Sequence, residues 1–238
     1  MKKFGLIGKH LQHSFSEDFF KKKFKKLNLD NHYYNNYEIK DVNEVRKLIV
    51  DQNLIGLNIT IPYKREIITI LDYISNEAEA IGSVNTIKIE NQKLKGYNTD
   101  VIGFERSIKP LISKRKNALI LGNGGASKAV QYVLRKNNIN FKIISREGDN
   151  NYQNIQRDDI VFNKIIINTT SLGMFPKTET YPNIPYALLN KEHLVYDLIY
   201  NPKETLFLQK ARIKGCLIKN GYEMLTIQAN ASWKIWNK

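Results

Sequence analysis

Apolar residues along the chain come in short runs that alternate with stretches of helical spacing. Residues 4–7 form a strand-like run. In residues 15–27, Phe19, Phe20, Phe24 and Leu27 recur at intervals that place them on one helical face. Ser14 or Ser16 is suited to cap that helix. Residues 33–39 read as a strand, and 41–50 as a helix in which Asp41 and Glu44 have capping-box spacing. Residues 57–61 read as a strand stopped by Pro62, and 75–81 as a short helix. A hairpin over 84–89 and 93–97 follows, and Thr99 opens a helix to about residue 111 with Asp100 in its first turn.

The pattern restarts after Lys114-Arg115-Lys116, the expected surface crossing between two domains. Strands over 118–121, 141–144, 165–167, 194–198 and 216–218 alternate with helices over 126–136, 205–213 and 223–236. Strands separated by helices point to parallel α/β architecture. No internal repeat or low-complexity linker interrupts it.

Charge changes the picture less than its size suggests. Lys plus Arg is 37 against 23 for Asp plus Glu, a formal net charge of +14. A basic chain can bind nucleic acid by neutralising phosphates. The one dense cluster, Lys21-Lys22-Lys23 with Lys25-Lys26, is interleaved with the apolar face of the first helix, so it reads as a solvated lysine face instead. No apolar run reaches the roughly 18 residues that would span a bilayer. The lone Cys216 has neither a disulfide partner nor zinc-ligand spacing, and His10, His13, His32 and His193 lack ligand spacing as well. The expectation is a metal-free protein of a reducing cytoplasm that binds neither nucleic acid nor membrane, as a monomer or homodimer.

Candidate chemistry comes first from a glycine-rich turn. Gly122, Asn123, Gly124, Gly125 and Ala126 directly follow an apolar strand and open a helix, with the small Ser127 where a third glycine often packs. Such a turn lets backbone amides and the helix N-terminus approach a pyrophosphate. The next strand ends at Ser145-Arg146-Glu147. An arginine there suits the 2′-phosphate of NADP, whereas Glu147 beside it works against a phosphate.

Four polar blocks lie outside that region: residues 13–16, 58–64, 82–86 and 96–100. Asn58 and Thr60 share one strand face because strand side chains repeat every second residue. Any one block could be a turn or a cap. Together they suit a polyhydroxylated acid, with hydroxyls and carboxamides for its hydroxyls. Lys64 and Asp100 would supply the proton transfer that must accompany hydride loss from an alcohol.

These blocks, in order, resemble the shikimate dehydrogenase family over nearly the whole chain. The likeness continues through residues 168–174, 196–202 and 221–228. The resemblance implies two α/β domains with a substrate cleft between them: a substrate-binding catalytic domain over 1–102 plus 220–238, and an NADP-binding Rossmann-like domain over 103–219. It implies Lys64 and Asp100 as the catalytic pair, and Ser14, Ser16, Thr60, Asn85, Tyr200 and Gln228 as substrate contacts. On the cofactor side it implies Gly122, Asn123, Gly124, Gly125, Ala126, Arg146, Thr169, Leu198 and Gly221. The implied reaction is the reversible NADPH-dependent reduction of 3-dehydroshikimate to shikimate, in the pathway to chorismate and the aromatic amino acids. Its rivals are a quinate/shikimate enzyme using NAD and a catalytically silent ligand-binding relative. The chain departs from the family pattern at Lys9-His10, Glu17 and Ser145-Arg146-Glu147.

Overall fold

The computed structural model describes residues 1–11, 14–146 and 150–238. His13 and Glu147, both singled out above, therefore lie outside the described residues. The chain divides into two units: Met1–Thr99 with Gln228–Lys238, and Asp100–Ile227.

In the first unit, β1 (Lys2–Gly8), α1 (Phe15–Lys26), β2 (His32–Glu38), α2 (Glu44–Gln52) and β3 (Leu54–Ile59) form two helical crossovers of one sheet, the second returning past β1. They are followed by β4 (Tyr73–Ile74), α3 (Asn76–Ile81), β5 (Thr86–Glu90) and β6 (Lys93–Tyr97). The sheet order is β2-β1-β3-β5-β6-β4. β1 is parallel to both β2 and β3, and only β5 runs against its neighbours.

The second unit holds α4 (Asp100–Ile112), β7 (Asn117–Leu121), α5 (Gly125–Lys136), β8 (Asn140–Ile144) and α6 (Arg157–Val161). β9 (Ile165–Asn168), β10 (Leu194–Asp197), α7 (Leu206–Ile213) and β11 (Leu217–Lys219) complete it. All five strands are parallel in the order β11-β10-β9-β7-β8. The last helix, α8 (Tyr222–Trp236), begins in the second unit and ends in the first.

The elements largely follow the apolar pattern, with instructive differences. β3 begins at Leu54, three residues before the expected start, because Asn53 takes a left-handed conformation that ends α2 and turns the chain at once. Asp41 does not open a helix. Its carboxylate accepts from Asn43 N at 2.8 Å while the Glu44 carboxylate accepts from Asp41 N at 3.0 Å, so these bonds close a turn and the helix starts at Glu44. β4 and α6 have no counterpart in the periodicity. At two and five residues, each is too short to show a repeat.

The first sheet is covered on both faces. On one, Phe20 and Phe24 of α1 meet Phe4, Tyr34 and Trp236. Phe20 stacks on Tyr34 at 4.5 Å and Phe4 on Trp236 at 4.8 Å. Lys21, Lys22, Lys25 and Lys26 stay exposed on the opposite side of α1, the solvated face its spacing implies. On the other sheet face, Val45 and Ile49 of α2 and Ala78 of α3 pack on Ile7, Leu57 and Ile59. The second sheet is buried in turn: Leu119, Ile120, Ile166 and Val195 are fully covered, as a parallel sheet between helical layers requires.

Trp236 fastens the end of α8 to the sheet. Its Nε1 donates to Ile87 O at 2.9 Å, and a Cβ on Gly56 would sit 2.6 Å from its ring. Trp236→Ala is expected to lower unfolding free energy by about 3–5 kcal/mol, the cost of removing a buried aromatic side chain. Urea denaturation measures it, and a loss under about 1 kcal/mol would show that α8 is not held by this ring.

Candidate active site

Topology brings the polar blocks of the first unit to one sheet edge. β1 lies between β2 and β3, so the loops leaving the carboxyl ends of β1 and β3 diverge there, the usual ligand position in an open α/β sheet. Ser14 and Ser16 follow β1, and Thr60 and Lys64 follow β3. β5 is antiparallel, so its start lies at the same edge: Thr86 pairs with Asn58 and with Tyr97 at the end of β6. Asn85, Asn98 and Thr99 arrive there as a result.

Ser14 occupies the N-cap of α1 without capping it, and its buried Oγ has no partner among the described residues. The Ser16 hydroxyl hydrogen-bonds Tyr34, whose own hydroxyl donates to Asn58 Oδ1 at 2.9 Å. Burial pushes the Tyr34 phenol well above its ordinary range, so it stays a neutral donor. Lys64 is half-buried, and its backbone carbonyl accepts from Val84 N at 2.8 Å, which ties its loop to the block that carries Asn85.

Asn85, 3% exposed, is oriented by a group that cannot flip. Its Oδ1 accepts from the Thr99 backbone N at 2.7 Å and from the Thr99 hydroxyl at 3.1 Å. Nδ2 must therefore be the end that donates to Gln228 Oε1 at 2.9 Å. With its oxygen engaged, Gln228 has Nε2 left as the amide end that can donate. The same contact fixes Thr99, the residue before Asp100. Asp100 is the first residue of α4 in the second unit and is 2% exposed.

In the second unit the strand order corresponds to 2-1-3-4-5 counted from β7, with the switch between β7 and β9. The glycine turn follows β7, and Thr169 follows β9. Gly122 sits at φ +106, and a Cβ there would lie 2.7 Å from Thr169 Oγ1. Thr169 N and Oγ1 each donate to Leu121 O at 2.8 Å. Gly124, by contrast, has φ −83 and open space where a Cβ would be, so the fold itself does not demand a glycine. It is the N-cap of the twelve-residue α5, it lends no side chain to the first amides, and the first turn holds no acidic residue. That arrangement fits a pyrophosphate. Gly221 is obligatory, since its Cβ would come within 2.0 Å of Leu198 O. Arg146 is exposed at the end of β8, and Tyr200 is half-buried beyond β10.

Several residues that shape these sites escaped the sequence reading. Asp197, fully buried at the end of β10, accepts from Asn168 Nδ2 at 3.0 Å, Ile199 N at 3.0 Å and Thr205 Oγ1 at 2.6 Å. It ties together the segments carrying Thr169, Leu198 and the start of α7. Its signal was a lone carboxylate inside an apolar run. Thr86 and Ser232, both buried, complete the cluster around Asn58. Ser232 was discoverable only as the residue one helical turn beyond Gln228. His193 is buried too, with ring nitrogens against Asn190 and Ile160 O, a local structural role.

A doubly wound parallel unit with a bare glycine turn at its switch point, in one chain with an α/β unit whose polar side chains gather at a sheet edge, defines a dinucleotide-dependent oxidoreductase. Residues 6–87 match the shikimate dehydrogenase substrate binding domain. A shikimate dehydrogenase (NADP+) of Methanococcus aeolicus is 41% identical, over 98% of this chain and 90% of the relative. The chain belongs to the shikimate dehydrogenase family and is an NADP-dependent oxidoreductase. Among solved structures, shikimate dehydrogenase from Aquifex aeolicus superposes with a TM-score of 0.89 at 37% identity, covering 100% of this chain and 92% of that one. Another, in complex with NADP+, gives 0.88 at 35%, covering 99% and 90%.

Among the described residues, the hydrogen-bond partners of Asp197 are the neutral Asn168, Ile199 and Thr205. Burial pushes its carboxyl from near 3.8 up to about 7, against the pull of the three hydrogen bonds. A pKa raised by folding adds stability below the unfolded value and loses it as pH rises through the folded one. Stability contributed by this group therefore declines between pH about 4 and about 7. Asp197→Asn removes that dependence, so its urea midpoint should gain on the parent's as pH rises from 5 to 8. A gap independent of pH would show that Asp197 titrates normally in the folded chain.

Proposed function

We propose that the chain catalyses the reversible reduction of 3-dehydroshikimate to shikimate, with Lys64 and Asp100 as its proton-transfer pair. NADPH, when bound, supplies the hydride. Lys64 donates a proton to the carbonyl oxygen as it gains charge, and Asp100 accepts from a substrate hydroxyl. The single observation that carries the reading is the convergence of four polar blocks, separated along the chain, on the carboxyl edge of β1, β3 and β6.

The remaining roles follow from what each side chain offers. The unpartnered Ser14 hydroxyl and the Tyr34-linked Ser16 suit a carboxylate or hydroxyl of the acid. Thr60, Asn85, Tyr200 and the donor end of Gln228 complete the substrate contacts. On the cofactor side, the amides from Gly122 to Ala126 receive the pyrophosphate, with Asn123, Gly124 and Gly125 between them. Arg146 takes the 2′-phosphate, and Thr169, Leu198 and Gly221 line the nicotinamide half. Most of these substrate contacts lie in the first unit, Asp100 and Tyr200 in the second, and all the cofactor contacts lie in the second.

Absorbance-monitored NADPH oxidation with 3-dehydroshikimate tests the assignment, and the reverse reaction with quinate, and NADH in place of NADPH, separate the alternatives. Lys64→Ala should lower kcat by about a hundredfold or more, the usual weight of a general acid. Turnover near the parent value in that variant would remove Lys64 from the role, and ligand binding without any turnover in the parent would mark a silent relative.

A further inference from the structure

Ser232 is wholly buried in the first unit, where its hydroxyl meets polar groups from β3, β5 and its own helix. Its Oγ donates to Gln228 O at 3.1 Å, lies 2.9 Å from Asn58 Nδ2 and 2.8 Å from Thr86 Oγ1, with Thr99 Oγ1 farther off at 3.3 Å. A hydroxyl has one proton, and a carbonyl can only accept. The Ser232 proton therefore goes to Gln228 O, and Thr86 donates to Ser232. Both acceptor positions and the single donor of Ser232 are then in use.

We propose that Ser232 is a positioning residue for substrate recognition, acting through Asn58, Thr86 and Gln228. The route follows from the hydrogen bonds. Of the three acceptors near Asn58 Nδ2, Ser232 is the nearest. The other two, Thr86 Oγ1 and Asn85 O, lie at 3.2 and 3.3 Å. Thr86, while it donates to Ser232, leaves Asn85 Oδ1 to the two Thr99 donors. Without Ser232, the Thr86 proton turns to Asn85 Oδ1 or Thr99 Oγ1, each 3.2 Å away, and Asn58 Nδ2 loses its nearest acceptor. Thr99 N still holds the Asn85 carboxamide, but the helical turn carrying Gln228 loses its tie through Ser232 to Asn58 of β3 and Thr86 of β5. β3 leads into Thr60, β5 follows Asn85 and α8 carries Gln228, so groups assigned to the substrate lose the tie that Ser232 gives them.

The inference rests on the reading of Asn85 and Gln228 as substrate contacts, so both are tested together. In the full-length protein, Ser232→Ala and Thr86→Val should each raise the shikimate KM, and the shikimate Kd measured calorimetrically without cofactor, by about fivefold or more. The KM for NADP+ should stay at the parent value, and kcat within about twofold. Gln228→Ala should raise the shikimate KM as well, and the Ser232→Ala/Gln228→Ala double variant should fall short of the product of the single effects. If Ser232→Ala and Thr86→Val lower the urea midpoint but leave shikimate KM and Kd unchanged while Gln228→Ala raises them, Ser232 is structural only and the inference is overturned. A parent-like KM for Gln228→Ala overturns the reading beneath it.

Discussion

In each of the two sheets the second crossover carries the chain to the other side of the first strand. β2 and β3 flank β1, and β8 and β9 flank β7. Loops leaving the carboxyl ends of flanking strands must then part, and the backbone groups between them are left for a ligand to satisfy. This constraint acts before any particular side chain does. It determines that residues after β1 and β3 share one edge, and that the glycine turn after β7 faces Thr169 after β9. The reversed strand β5 extends the effect, because a hairpin that returns to the same edge delivers Asn85 and Thr99 without a further crossover.

Packing and polar satisfaction have separate tasks in the first unit. The aromatic layer of Phe4, Phe20, Tyr34 and Trp236 holds the end of α8 against the sheet by burying area, which is strong but indifferent to small rotations. Orientation comes from the hydrogen bonds beneath that layer. Tyr34 reaches from the aromatic layer to Asn58, and Asn58 in turn reaches Ser232 on the helix. A buried network of this kind is favourable only when each member is satisfied, and that requirement confines Asn85 and Gln228 to one orientation. One of the buried groups left without a partner among the described residues, the hydroxyl of Ser14, lies at the edge where a ligand with oxygen atoms would complete it.

The second unit solves a different problem with fewer polar groups. Its central strands β7, β9 and β10 are buried, and its proposed cofactor site is made of backbone: an obligatory glycine at φ +106, a bare helix N-terminus and a second obligatory glycine against Leu198. Backbone sites need their loops held, and Asp197 does so from inside, with one carboxylate receiving donors from three segments. A carboxylate kept so far from water is costly when charged, hence its raised pKa and the expected decline of stability with pH.

Much of this was legible in the residues themselves. Periodicity located the long helices and most strands, because burial of one face demands it. The strand–glycine–helix turn announced its chemistry, because only glycine permits that backbone path at Gly122. The order of the polar blocks carried the family. What the linear chain could not contain was partnership across distance. That Asn58 meets Ser232, 174 residues away, depends on where α8 returns to the sheet. That Asp197 is buried rather than exposed depends on loops after β9 and at α7 closing over it. Local spacing records what a residue's neighbours along the chain require of it. The hydrogen-bond partners of a buried polar group are chosen by the packing of the whole unit, and only the folded structure decides them.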